Sequence, residues 1–94
     1  MIKEKETIVR LLNALFPNVK VYLFGSRARG TNRPNSDIDL AIDMGHKLDF
    51  IEVSRARSIL EMLSVPQKID LVDVQSVPVE LREIILKEGI EWTN

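Results

Sequence analysis

Hydrophobic positions switch between a helical period and a strand period along the chain, and turn residues separate the segments. The first segment is helical in spacing, with Ile8, Leu11, Leu12 and Leu15 on one stripe. The predicted elements are a helix over 3–15, a strand over 20–24, a short helical turn over 27–29, a strand over 36–43, a helix over 49–63, a strand over 67–74 and a helix over 78–89. The pattern alone indicates an α/β fold of order α-β-α-β-α-β-α.

The second predicted strand carries an acidic face. By the period of two, Ile38, Leu40 and Ile42 fall on one side, and Asp37 and Asp39 fall on the other. Two neighbouring carboxylates repel each other unless a cation lies between them. Mg²⁺ fits this position, because it usually takes one or two carboxylates together with substrate phosphates. The spacing therefore predicts a metal site on the polar face of this strand.

A glycine–serine turn ends the preceding strand. Gly25 follows the apolar run 21–24, and its missing side chain allows a ligand to approach the backbone closely. Ser26 is a favourable N-cap for the helical turn over 27–29, and free N–H groups at a helix start can hold phosphate. A phosphate cradle that stands ten residues before an acidic pair indicates nucleotide chemistry.

Size and composition set further limits. The 94 residues suffice for one small domain, and the formal net charge of -1 argues against a general nucleic-acid binder. There is no cysteine, so disulfides and thiolate metal sites are excluded. No apolar run approaches the roughly 20 residues that span a membrane, and the charged N-terminus does not resemble a signal peptide. We therefore expect a cytoplasmic protein without membrane contact and without direct nucleic-acid binding.

The run Gly-Ser-Arg-Ala-Arg-Gly at 25–30, followed by Asp-Ile-Asp at 37–39, resembles a known signature. It is similar to that of the minimal nucleotidyltransferases, which are the antitoxin halves of bacterial and archaeal toxin–antitoxin pairs and belong to the superfamily of DNA polymerase β. Length and element order extend the resemblance over most of the chain. It implies a single nucleotidyltransferase domain over 1–94, with helices packed against a small three-stranded mixed sheet.

In that family a third carboxylate lies on the strand after the Asp-x-Asp strand, and Asp70 matches its position. Asp73 is the competitor, but it points to the opposite face and lies near the strand end. Asp43 continues the acidic face beyond the motif and is interpreted as a strand-end residue. The resemblance thus assigns catalysis and metal binding to three carboxylates, Asp37, Asp39 and Asp70.

The resemblance also implies the reaction. Two Mg²⁺ ions and ATP would serve the transfer of AMP to a tyrosine of a HEPN-domain toxin, which is an RNase, and the transfer would neutralise the toxin. A chain of this length leaves no room for a domain that encloses the acceptor, so we expect another molecule to bring it. The residues expected to bind the nucleotide are Gly25, Ser26, Arg27 and Arg29.

Two other functions stay open at this point. The first is a non-catalytic antitoxin that acts by binding alone, and the second is a nucleotidyltransferase that modifies a small molecule or an RNA. The sequence also leaves open whether the chain forms a homo-oligomer, and whether Trp92 packs on the domain or marks a partner surface. Asp49 and Glu52 form a predicted capping box, and we expect Arg57 to face water and His46 to lie on the surface.

Overall fold

Short hydrophobic runs of strand periodicity form one sheet, and amphipathic segments between them form helices. The computed structural model describes residues 3–93. The elements are α1 (Lys5–Leu15), β1 (Lys20–Phe24), α2 (Ser26–Arg29), β2 (Ile38–Asp43), α3 (Phe50–Glu61), β3 (Ile69–Asp73), α4 (Val79–Glu88) and β4 (Ile90–Glu91). The predicted alternation of helices and strands is confirmed, and one further strand follows the last helix.

The sheet is mixed, with strand order β3-β2-β1-β4. Strand β1 pairs antiparallel with both β2 and β4, whereas β2 and β3 run parallel. The prediction of three strands missed β4, which has only two residues and therefore no readable period. The backbone N–H of Trp92 extends this edge by donating to the Val21 carbonyl at 2.7 Å, and Thr93 Oγ1 accepts from the Val21 N–H at 3.2 Å.

One face of the sheet packs against α1 and α3 and forms the main core. Because every second residue of a strand points the same way, the apolar positions of β1, β2 and β3 meet the buried stripes of the two helices. The buried members from these elements are Ile8, Leu12, Val21, Leu23, Ile38, Leu40, Ile42, Val53, Ala56, Leu60 and Leu71. The predicted division of β2 into an apolar face and an acidic face is confirmed.

The opposite face is covered by α4 over only part of its area. Ala41, Val74 and Ile85 are buried there, and Tyr22 and Phe24 pack beside them. The rest of this face carries aspartates in place of apolar residues. It therefore stays accessible at the end where β2 and β3 begin.

Several helix positions differ from the prediction. The capping box is present, with Glu52 Oε1 accepting from the Asp49 N–H at 3.3 Å, but α3 ends at Glu61 and not at 63. Leu15, which the helical spacing places on the apolar stripe of the first helix, is 37% exposed. Leu15 is the last residue of α1, so the end of the helix leaves it partly open to solvent.

The prediction that Arg57 faces water is wrong. Its Nε donates to the Leu71 carbonyl at 2.9 Å. Strand β3 is an edge strand, and its outward carbonyl groups need a donor that no neighbouring strand supplies. The open question about Trp92 is answered as well, since its ring is 8% exposed and belongs to the main core. His46 is exposed as expected.

None of the helices within residues 3–93 combines the length and the apolar character needed to cross a lipid bilayer.

Candidate active site

Strand register brings the predicted carboxylates to one end of the sheet. Asp39 on β2 is paired with Asp70 on β3, and on its other side it is paired with Phe24, the last residue of β1. Partners in a sheet point to the same face, so Asp39 and Asp70 lie side by side on the face that α4 leaves partly open. Asp37 directly precedes β2 and is exposed, as is Asp70, while Asp39 is half-buried.

The surroundings of Asp39 disfavour the charged form of its carboxylate. Its pKa is raised above the ordinary value of 3.8, first because partial burial penalises the charged form and then because Asp70 and Asp37 repel it. The guanidinium of Arg29 acts in the opposite direction and lowers the pKa. A position where two carboxylates raise the pKa of a third is one where a bound cation would be stabilised.

The Gly25 turn lies directly against Asp39. Gly25 has φ 75° and ψ −154°, a backbone region that is essentially restricted to glycine. A Cβ at this position would overlap the carboxylate of Asp39 and would lie 3.2 Å from its Cγ. The absence of a side chain therefore serves two purposes here, since it permits the turn and it leaves room for Asp39.

The short helix α2 begins at Ser26, one residue earlier than predicted. Gly25 occupies the N-cap position, and Ser26 is the first helical residue, so the prediction of Ser26 as N-cap is wrong. The Gly25 carbonyl accepts from the N–H groups of Ala28 and Arg29 at 3.1 Å each. Gly30, with φ 75° and ψ 18°, ends the helix in the left-handed conformation. These bonds fix the start of α2 directly after the Gly25 turn, which lies against Asp39.

The two arginines of α2 have different surroundings. Arg27 is half-buried, and it donates to the Ser36 carbonyl from Nε at 3.3 Å and from Nη2 at 3.0 Å. Arg29 is half-exposed, and its Nη1 lies 3.7 Å from Glu88 Oε1 of α4. A solvent-exposed ion pair of this length contributes little to stability, so Arg29 can readily exchange Glu88 for another anion. The predicted nucleotide contacts of both arginines stay predictions.

The two alternative acids belong to the fold. Asp73 is only 3% exposed and lies on the face opposite to Asp70. It accepts from the Leu48 N–H at 2.9 Å, the Ser76 hydroxyl at 2.7 Å and the Gln75 N–H at 3.1 Å. Asp43 accepts from the Gly45 N–H at 2.8 Å. Both carboxylates have structural partners, which agrees with setting them aside.

A magnesium ion fits the donor set as one part of a larger complex. Within residues 3–93 no three acidic or histidine side chains form a ready-made metal cage. Mg²⁺ seldom uses such a cage, because it usually keeps waters and takes one or two carboxylates together with substrate phosphates. Asp39 together with Asp37 or Asp70 offers those carboxylates. A bound cation would offset the negative charges of Asp70 and Asp37, which contribute to the raised pKa of Asp39.

Gln67 is a residue of this region that the sequence analysis did not single out. Its Nε2 donates to the Pro34 carbonyl at 3.0 Å, and Arg27 Nη2 approaches the same oxygen at 3.3 Å. A single glutamine after a proline has no pattern that would mark it. The only available signal was its place three residues before Asp70.

Comparisons with known proteins agree with this geometry. The family model described as polymerase beta, nucleotidyltransferase matches residues 6–92. An MntA protein adenylyltransferase assigned in Haemophilus influenzae is 35% identical over 90% of this chain and 75% of its own length. The protein adenylyltransferase MntA of Shewanella oneidensis is 33% identical over 87% of this chain and 59% of its own length, so the chain spans less than two thirds of that relative.

Solved structures give the same result. A crystal structure of a toxin–antitoxin complex with AMP-PNP contains a chain that is 31% identical, with a TM-score of 0.80 over 94% of this chain and 71% of that chain. A complex of the tri-AMPylated HEPN toxin of S. oneidensis with its MNT antitoxin matches at 26% identity, with a TM-score of 0.66 over 95% of this chain and 68% of that chain. With the family model spanning nearly the whole chain, this protein belongs to the polymerase β nucleotidyltransferase family and is related to the MntA antitoxins.

Proposed function

We propose that this protein is a Mg²⁺-dependent antitoxin that transfers AMP from ATP to a tyrosine of a cognate HEPN toxin. The observation that carries the proposal is the register of Asp39 against Asp70, with the Gly25 turn on the other side of Asp39. This arrangement provides carboxylates for cations and a backbone turn for phosphates within one end of the sheet. The related MNT antitoxin that is found in complex with an AMPylated HEPN toxin supports the choice of acceptor.

The turn between β1 and α2 binds the nucleotide. Gly25 allows the phosphates to approach the backbone, and the hydroxyl of Ser26 donates a hydrogen bond to a phosphate oxygen. Arg29 leaves its weak pair with Glu88 and turns to the triphosphate, because an arginine–phosphate contact is stronger than an exposed ion pair. The related toxin–antitoxin complex with AMP-PNP supports ATP as the donor.

Asp37, Asp39 and Asp70 would hold the metal, in the form of two Mg²⁺ ions. When bound, these ions would neutralise the triphosphate and lower the pKa of the acceptor hydroxyl. The three carboxylates also define the direction of approach. Asp70 is exposed on β3, on the side of the cluster away from the Gly25 turn, so the acceptor arrives on the Asp70 side and the triphosphate lies on the Gly25 side.

In the chemical step the tyrosine oxygen attacks the α-phosphorus of ATP in line with the leaving group. The new bond joins this oxygen to the α-phosphorus, and the bond from the α-phosphorus to the bridging oxygen breaks, which releases pyrophosphate. Asp70 accepts the proton of the tyrosine hydroxyl. The transferred AMP adds a bulky anion to the toxin, and near an RNase centre that anion would repel the RNA backbone.

Intact mass spectrometry tests this function. The toxin is incubated with this protein, ATP and Mg²⁺, then separated and weighed. We expect one or more additional AMP masses that vanish in the Asp37→Asn and Asp39→Asn variants, and toxin that stays inactive after separation. An unmodified toxin that is inhibited only while bound, and equally well by both variants, would favour neutralisation by binding alone.

A further inference from the structure

The loop between α2 and β2 is held by two side chains, one from α2 and one from the segment before β3. It spans residues 30–37, and Asp37 is its last residue. Arg27 reaches it from α2 and Gln67 reaches it from the segment before β3, and both donate to the Pro34 carbonyl, at 3.3 and 3.0 Å. The same arginine also makes two bonds to the Ser36 carbonyl, the last peptide oxygen before Asp37.

These bonds connect the Gly25–Ser26 turn, the loop before Asp37 and the segment before Asp70. Arg27 follows the Gly25–Ser26 turn, Ser36 directly precedes Asp37, and Gln67 lies three residues before Asp70, in the segment that leads into β3. Strand pairing already fixes Asp39 against Asp70. Asp37 lies one residue outside β2, so strand pairing fixes its position less directly than that of Asp39, and the loop before it contributes to that position.

We infer that Arg27 and Gln67 are positioning residues that clamp the loop over residues 30–37 and thereby set Asp37 relative to Asp39 and Asp70. The inference extends the proposed function, since it assigns to Arg27 a role other than contact with the nucleotide. The guanidinium suits this role because its Nε and Nη donors form a rigid fork. One arginine can therefore hold two carbonyl groups, those of Pro34 and Ser36, in a loop rich in polar turn residues.

Backbone amide exchange in the nucleotide-free protein gives a readout that does not depend on turnover. The N–H groups of Thr31, Arg33 and Ser36 are bonded within the turn region, to the Ser26 carbonyl, the Ser36 hydroxyl and the Arg33 carbonyl. In Arg27→Ala we expect these amides to exchange at least about tenfold faster, because the local opening free energy falls when the clamp is lost. Gln67→Ala should accelerate the same amides by a smaller factor, and Arg27→Lys should restore part of the protection.

Isothermal titration with ATP separates the clamp from a phosphate contact. If Arg27 positions Asp37, Arg27→Ala weakens ATP binding in Mg²⁺ by roughly tenfold, the lower end for losing a hydrogen bond from a charged donor, and changes binding in EDTA much less. Gln67→Ala should show the same metal-dependent loss to a smaller extent. A phosphate contact instead predicts an equal loss with and without metal, unchanged loop exchange, and no effect of Gln67→Ala.

Arg33→Ala is the matched control, since it removes the same charge from within the loop that Arg27 contacts. Within residues 3–93 the Arg33 hydrogen bonds in this loop come from its backbone. We expect less than about a twofold change in metal-dependent ATP binding. If Arg33→Ala reproduces the effect of Arg27→Ala, or if Arg27→Ala leaves the loop amides unchanged, the clamp is overturned. Neither outcome bears on AMP transfer, which the toxin mass measures separately.

Discussion

Two aspartates on the same strand, Asp70 and Asp73, have opposite surroundings. Asp73 is 3% exposed, and its two oxygens accept bonds from one hydroxyl and two backbone N–H groups. Asp70 is exposed and lies beside another carboxylate. The first carboxylate is satisfied by the fold, because a buried charge without hydrogen bonds would be very costly. Within residues 3–93 no hydrogen bond or ion pair engages the second, which leaves Asp70 available for the metal site that we propose.

Asp39→Asn should have the largest effect on function and little adverse effect on the fold. The substitution keeps the shape of the side chain and removes the charge that the metal needs. We expect AMP transfer to fall by at least about a hundredfold, the range for removing a group that stabilises transition-state charge. Transfer measured by the added mass on the toxin checks this, and wild-type turnover in the variant would show that Asp39 is not a metal ligand.

Gly25→Ala tests whether the absence of a side chain at position 25 is required both for the turn and for the position of the Asp39 carboxylate. The backbone region of Gly25 costs about 1–3 kcal/mol for other residues, and the new Cβ would also displace the Asp39 carboxylate. We expect a loss of stability of about that size together with loss of Mg²⁺-dependent ATP binding. Gly30→Ala is the control, because Gly30 also has φ 75° but no atom lies within 4 Å of its Cβ position. Equal loss of ATP binding in both variants would mean that strain alone is responsible.

Asp73→Asn makes the same chemical change on the structural side of the strand. Asparagine can accept with only one oxygen, so one of the three donors around Asp73 loses its partner. A buried donor left without an acceptor costs about 1–3 kcal/mol, and urea denaturation should show a loss of that size. A variant as stable as the wild type would remove the contrast between Asp73 and Asp70.

Much of this contrast was readable from the sequence, because it depends on the strand period. The two-residue period of a strand placed Asp37 and Asp39 on the other face of the sheet from Ile38, and Asp70 on the other face from Asp73. The structure agrees for every one of these residues that lies within a strand. The pairing of Asp39 with Asp70 was not readable. Strand register depends on contacts between segments that are distant in the chain, and no local pattern encodes it.

Long side chains were the least predictable part. Arg57 and Arg27 lie on exposed-looking positions of their helices, yet each donates to a carbonyl of another segment. Helical periodicity predicts where a Cβ points but not where a flexible guanidinium ends. Strand β4 was not predicted for a different reason, since two residues are too few to show alternation.

Ser26→Ala should weaken ATP binding moderately and leave AMP binding nearly unchanged. The serine lies at the start of α2, where the proposal places the outer phosphates, so only a ligand with a triphosphate tail makes this contact. We expect a loss of about 1–3 kcal/mol, the range for a hydrogen bond to a charged group. Isothermal titration with both nucleotides in Mg²⁺ checks this, and equal wild-type affinity for ATP and AMP would contradict the phosphate cradle.

The smallest expected effect is a pH-dependent gain in stability in Asp39→Asn without metal. Because the pKa of Asp39 is raised above 3.8 in the folded state, the folded protein binds a proton there more readily than the unfolded chain does. The ionised carboxylate therefore opposes folding at neutral pH, and this cost is relieved as pH falls through the raised pKa toward 3.8. The variant should be more stable than the wild type at pH 7 in EDTA, and the difference should shrink with falling pH and vanish below 3.8.

Mg²⁺ with ATP should stabilise only the wild type, since the ions offset the crowded negative charge around Asp39. Urea denaturation between pH 3 and pH 7 measures both trends. A wild type that is the more stable protein at pH 7 without metal would mean that Asp39 serves the fold, as Asp73 does.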